Sequence, residues 1–122
     1  MSIAFTVEHR AGYSVVRVDA AAPDLNAFLS FVQTLGSESE AWPTRHLLVD
    51  MRSVRSLTSF TEHYAIGEAV ARSLAHLRKV ASVVPADRVT RASEKTAQRA
   101  GVNLTVFTNE REAIEWLSST QA

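Results

Sequence analysis

The chain is 122 residues long, and 13 Lys plus Arg balance 13 Asp plus Glu, so its formal net charge at neutral pH is zero. That length corresponds to a single domain spanning 1–122, and the charge balance excludes the strongly basic face of an ordinary nucleic-acid binder. The absence of cysteine excludes disulfides, thiolate metal centres and Cys nucleophiles, while 46% apolar and 21% charged residues describe a folded globule.

Ile3–Glu8 and Ser14–Ala20 read as two strands, the second alternating Val16 and Val18 with Arg17 and Asp19, and Ala11-Gly12 supplies a hairpin turn. Pro23-Asp24 opens a helix whose apolar face is Leu25, Phe28, Leu29, Val32 and Leu35, with Gly36 as its C-terminal glycine. Ser37–Pro43 reads as a connection, and His46–Met51, with Leu47-Leu48-Val49 at its centre, as a buried strand. After an irregular stretch, a helix is expected from Phe60 to Leu77, started by the Ser59/Glu62 capping box. Lys79–Val84 is a strand stopped by Pro85, Arg91–Ala100 a helix closed by Gly101, and Asn103–Phe107 the last strand. Glu110–Leu117 completes the chain as a helix capped by Asn109.

This β-β-α-β-α-β-α-β-α order predicts an α/β fold with a mixed five-stranded sheet, because strands alternating with long helices build parallel pairs through right-handed crossovers. Polar positions in Lys79-Val80-Ala81-Ser82-Val83 and Asn103-Leu104-Thr105-Val106 favour four helices mainly on one face, leaving Thr105 and Phe107 facing solvent or a partner. An apolar open face and zero net charge together suggest a homodimer. The N-terminal residues lack the basic and apolar regions of a signal peptide, and no apolar run is long enough to span a bilayer, so the expected location is the cytoplasm.

His9, His46, His63 and His76 form no His-Glu-x-x-His and no i, i+4 pair, so no metal site is expected. Nucleophile-elbow, Walker and dinucleotide-binding glycine motifs are missing, and the four glycines leave little room for a phosphate-cradling loop. The expectation is a non-enzymatic protein with no cofactor. Phe60 and Tyr64, with Ile66, Val70, Leu74 and Leu77, read as a core-facing stripe more readily than as a ligand wall, and Trp116 reads as the anchor of the last helix.

The best candidate site is the run from Asp50 to Ser59, which leaves a parallel strand at its C-terminal end and enters a helix N-terminus, where open sheets tend to bind ligands. Free N–H groups there favour an anion, and Arg52 and Arg55 add positive charge. Ser59 as a helix cap, worth about 1 kcal/mol, with both arginines solvated, is the simpler account.

The block Arg78-Lys79-Val80-Ala81-Ser82-Val83-Val84, the run Arg99 to Glu110 and the final Ala113-Ile114-Glu115-Trp116-Leu117 resemble the SpoIIAA-like STAS (STAS/SEC14-type) domain family. The resemblance implies a compact mixed sheet and, for anti-sigma-factor antagonists of that superfamily, a phosphorylatable serine at the start of the helix after the central strand. Ser59 falls on that position, but Thr58 stands where the family has Asp and Thr61 where it has Gly, which weakens recognition by a dedicated kinase. SEC14-like relatives lack the switch and suggest lipid or other small apolar ligands. Two functions therefore stand: a regulatory protein whose protein partner meets the Asp50, Arg52, Arg55, Thr58, Ser59 loop, or a carrier or sensor of a small anionic or apolar, lipid-like ligand.

Overall fold

The chain opens as the expected hairpin. In the computed structural model, which describes residues 4–19, 25–53, 60–85, 95 and 98–119 and leaves the side chains of 60–64 aside, β1 (Ala4–Arg10) pairs antiparallel with β2 (Tyr13–Asp19). The turn between them is only Ala11-Gly12, so Arg10 sits opposite Tyr13 and β1 runs two residues further than its alternation suggests. Gly12 takes φ +85°, a conformation that disfavours any side chain.

From β2 the chain passes through α1 (Leu25–Ser39) to β3 (His46–Asp50), then through α2 (Phe60–Ser73) to β4 (Lys79–Val83), β5 (Leu104–Phe107) and α3 (Glu110–Ser118). Strands β2 to β5 are all parallel neighbours, giving the sheet order β1-β2-β3-β4-β5. The mixed five-stranded sheet is thus as expected, and three of the four expected helices are seen as described elements. Of the remaining one, Lys95, Gln98 and Arg99 are helical, and Gly101 follows with φ +101° and its N–H on the Gln98 carbonyl at 3.1 Å.

Gly36 does not end α1. It lies inside the helix, and a Cβ on it would stand 2.6 Å from the Ser73 carbonyl oxygen of α2. The residue is required for the close approach of two helices, a need that helical spacing alone does not reveal.

The helices divide between the faces. A strand order that advances in one direction through right-handed crossovers puts the crossover helices on the same side. Val16, Val18, Leu47, Val49, Val80 and Leu104 accordingly pack with Phe28, Phe31, Val32 and Leu35 of α1 and Ile66, Val70 and Leu74 of α2. Helix α3 returns over the opposite face, where Ala113 and Leu117 join Val15, Leu48, Ala81 and Val83. Phe107 is therefore not left to solvent; its ring lies 5.7 Å from that of Trp116. This removes the premise of an open apolar face on which the homodimer expectation leaned. The reason lies in β3 and β4: Leu47, Leu48 and Val49 are all buried, as are Lys79, Val80, Ala81 and Val83, the mark of strands covered on both sides.

Candidate functional site

At the C-terminal ends of β2 and β3, Arg17 and Asp50 are register partners, and their side chains emerge on the α3 face. Arg17 Nη1 donates to Asp50 Oδ2 at 2.9 Å and to Glu110 Oε1 at 2.8 Å. Its Nη2 reaches Glu110 Oε2 at 3.4 Å. Arg52 completes a ring: its Nε and Nη2 hold the two Asp50 oxygens at 2.9 Å each, and Nη2 also donates to Glu110 Oε1 at 3.0 Å. Each guanidinium thus touches both carboxylates. Two cations and two anions cancel.

The base of the loop beyond β3 is fixed by more than charge. The Arg52 backbone N–H donates to Asp50 Oδ1 at 3.1 Å, closing a local turn of the kind aspartate favours. Met51 N–H reaches the Val83 carbonyl at 2.7 Å, and Ser53 Oγ donates to the Val18 carbonyl at 2.6 Å, so the loop starts from a point tied to β2, β3 and β4. Above that base, Arg52 and Ser53 are exposed.

The electrostatics follow from these bonds. The Arg52 guanidinium and N–H hold the Asp50 carboxyl down at about 2, with help from Arg17 and against the burial of its side chain. Arg17 holds the Glu110 carboxyl below its ordinary value, with Arg52 helping and burial and Asp50 opposing. Both acids are ionised wherever the protein is folded near neutrality.

Of the five residues singled out in the sequence, the structure brings Asp50 and Arg52 together; Arg55, Thr58 and Ser59 lie outside the described residues. Arg52 is not a free cation awaiting an anion, because Asp50 and Glu110 already hold it, although about half of its side chain stays open to water. Among the described residues the strand order does not reverse within the sheet. Arg17 and Glu110 were not anticipated. The available signals were an arginine breaking Val15-Val16-Arg17-Val18 and an acid opening a helix already assigned an Asn109 cap, which is seen with Asn109 Oδ1 on the Glu112 N–H at 3.2 Å.

The opposite end of α3 holds a second unanticipated group. Lys79 is only 5% exposed, yet its ammonium donates to Trp116 O at 2.9 Å, Ser119 O at 2.8 Å and Ser119 Oγ at 3.0 Å. A strand residue thereby supplies the positive charge that the last turn of α3 lacks. The three histidines whose side chains are described, His9, His46 and His76, serve the frame. His9 Nδ1 and His76 Nε2 each lie 2.8 Å from a serine hydroxyl, Ser14 and Ser39, but both serines are wholly buried and out of reach of a substrate. Burial pushes the His46 imidazole down, with Lys79 adding to the effect. Among the described residues, no three His, Cys, Asp or Glu side chains converge as a metal ion would require, and no helix is long and apolar enough to cross a membrane.

No curated protein matches the chain. Among solved structures, an anti-sigma factor antagonist from Mycobacterium paratuberculosis is similar at TM-score 0.62 and 19% identity, over 97% of this chain and 96% of that one. An uncharacterised protein of the DUF3478 family with a SpoIIAA-like fold, from Shewanella loihica PV-4, is similar at TM-score 0.59 and 16% identity, over 95% and 94% of the two chains. At such identities the likeness speaks for the fold. The sequence profile of the SpoIIAA-like family matches residues 15–118, a span that runs from the middle of the hairpin to the end of α3, and the chain belongs to that family.

Proposed function

We propose that the protein is a non-enzymatic regulator that acts through protein–protein contact, with a partner docking on the loop that starts at Arg52. The observation that carries this reading is that the start of the loop is exposed and yet firmly tied: Arg52 and Ser53 are open to solvent at a point bonded to three strands and to α3. Residues held as Arg52 and Ser53 are before a partner arrives lose little conformational freedom on binding. Membership of the SpoIIAA-like family and a fold shared with an anti-sigma factor antagonist support a regulatory partner in a bacterial cytoplasm. A small anionic ligand is supported less, since Arg52 is already balanced by two carboxylates.

The test places a photo-crosslinking amino acid at Ser53 and, separately, at Gln33 on the exposed side of α1, in cells of the source organism. A discrete protein adduct from position 53 and none from 33 is the expected outcome. Equal labelling from both positions, or none from 53, contradicts the reading. So does native mass spectrometry that finds a small molecule retained by the purified chain and lost in Arg52→Gln, which would favour the carrier.

A further inference from the structure

The ring of four charges has a redundancy that a simple structural clamp does not need. Asp50 Oδ2 accepts from both Arg17 Nη1 and Arg52 Nη2, each at 2.9 Å, and Glu110 Oε1 accepts from the same two atoms at 2.8 and 3.0 Å. Removing either guanidinium leaves both carboxylates with the other. The two arginines nevertheless stand on different supports. Arg17 is inside β2, paired across to β1 and β3, with 38% of its side chain exposed. Arg52 lies two residues beyond the end of β3, and 48% of its side chain is exposed.

We infer that Arg52 is a releasable arginine that leaves the ring to bind a carboxylate of the protein partner, and that Arg17 is the positioning residue that keeps Asp50 and Glu110 paired when it does. This rests on the loop being the docking surface, as proposed above. Release leaves the base of the loop intact, because the Arg52 backbone N–H remains on Asp50 Oδ1 and Ser53 Oγ remains on the Val18 carbonyl. It leaves no buried charge unpaired, the condition under which breaking an ion pair becomes severe. The neighbours also select the class of anion. A dianionic phosphate drawn to Arg52 sets both of its charges on one group beside two ionised carboxylates, whereas a carboxylate, whether of a side chain or of one end of glutarate, brings a single charge to that point and adds about half the repulsion there. The complementary partner is therefore an acidic side chain, an aspartate or glutamate.

The inference is tested on the full chain by following the Nε–H resonances of Arg52 and Arg17 by NMR during titration with disodium glutarate, and with inorganic phosphate at matched ionic strength. Glutarate is expected to move Arg52 saturably and to leave Arg17 in place, with phosphate the weaker ligand. Arg17→Gln ties Arg52 into the ring as the sole guanidinium for both acids, so glutarate affinity is expected to fall about threefold to fivefold, the worth of one partly exposed ion pair. Arg10→Gln is the charge control: it removes an equal charge from the same sheet face, where Arg10 is held by Glu8 at 3.0 Å outside the ring, and affinity is expected to stay unchanged. Should Arg17→Gln fail to fold, Arg17→Lys, which keeps the charge and loses the fork, serves with a smaller drop expected. Absence of an Arg52 response, equal movement of Arg17, equal effects of the Arg10 and Arg17 variants, or a response to phosphate alone would each overturn the inference. Crosslinking from Ser53 with no glutarate response would leave the docking surface standing and remove only the role of Arg52.

Discussion

The two ends of α3 are both held by charge of the sign its dipole favours, and they differ in what surrounds that charge. At the C-terminal end a single ammonium, Lys79, is buried among three oxygen acceptors, with the Trp116 ring 5.2 Å away. At the N-terminal end Glu110 shares two arginines with Asp50, and both arginines are partly open to water. A buried, singly held charge weighs on stability, because its loss leaves three acceptors on half-buried residues without their donor. An exposed, doubly held charge is replaceable, and a replaceable charge is free to serve recognition. On the function proposed above, the difference separates the structural end of the helix from the end assigned to recognition.

Leu117→Ala breaks the comparison most completely, since it removes the apolar contact that seats α3 between its two ends. Leu117 is 1% exposed, and the cost is expected at about 2–5 kcal/mol by urea denaturation; a cost below about 1 kcal/mol would mean that charge, not packing, seats the helix. Lys79→Met keeps the stem and removes the ammonium, and is expected to cost about 1.5–3 kcal/mol. A stability equal to that of the native chain would erase the distinction between the ends.

The acid limb sharpens the comparison from the other side. Asp50 is held at about 2 against an ordinary 3.8, and Glu110 is lowered as well, so from about pH 4 downward the unfolded chain binds protons that the folded chain refuses. Stability from these two groups is full above their unfolded values and is lost as pH falls through the folded ones. Asp50→Asn is expected to flatten the decline in melting temperature between about pH 4 and pH 2, and an unchanged slope would dissociate the ring from acid stability. The smallest effect is expected from Arg52→Gln, under about 1 kcal/mol at neutral pH. A loss as large as that of Lys79→Met would place Arg52 with the structural group.

Most of this architecture was legible before any coordinates. Strand alternation, the Ala11-Gly12 turn, the Asn109 cap and the positive φ at Gly101 are local features, and local features carry their own signals in a sequence. What escaped was relational. Gly36 read as a helix end because helical spacing says nothing of Ser73 arriving from another helix. Lys79 and Thr105 looked like the polar edge of an open face, whereas Lys79 reaches back to the carbonyls of a helix 37 residues further on, a distance no periodicity spans. The site was half legible for the same reason: Asp50 and Arg52 are two residues apart, while Arg17 and Glu110 are separated by 93.

On the proposed function, stability and recognition reside at opposite ends of α3. The most direct test takes the protein captured by crosslinking at Ser53 and measures its affinity by titration calorimetry for native chain, Lys79→Met and Arg52→Gln, alongside the unfolding free energy of each. The expected result is crossed: Lys79→Met is less stable and binds as the native chain does, while Arg52→Gln is as stable as the native chain and binds roughly tenfold or more weakly, as loss of an interfacial charge pair requires. Native affinity in Arg52→Gln, or a parallel loss of stability and affinity in both variants, would contradict the claim.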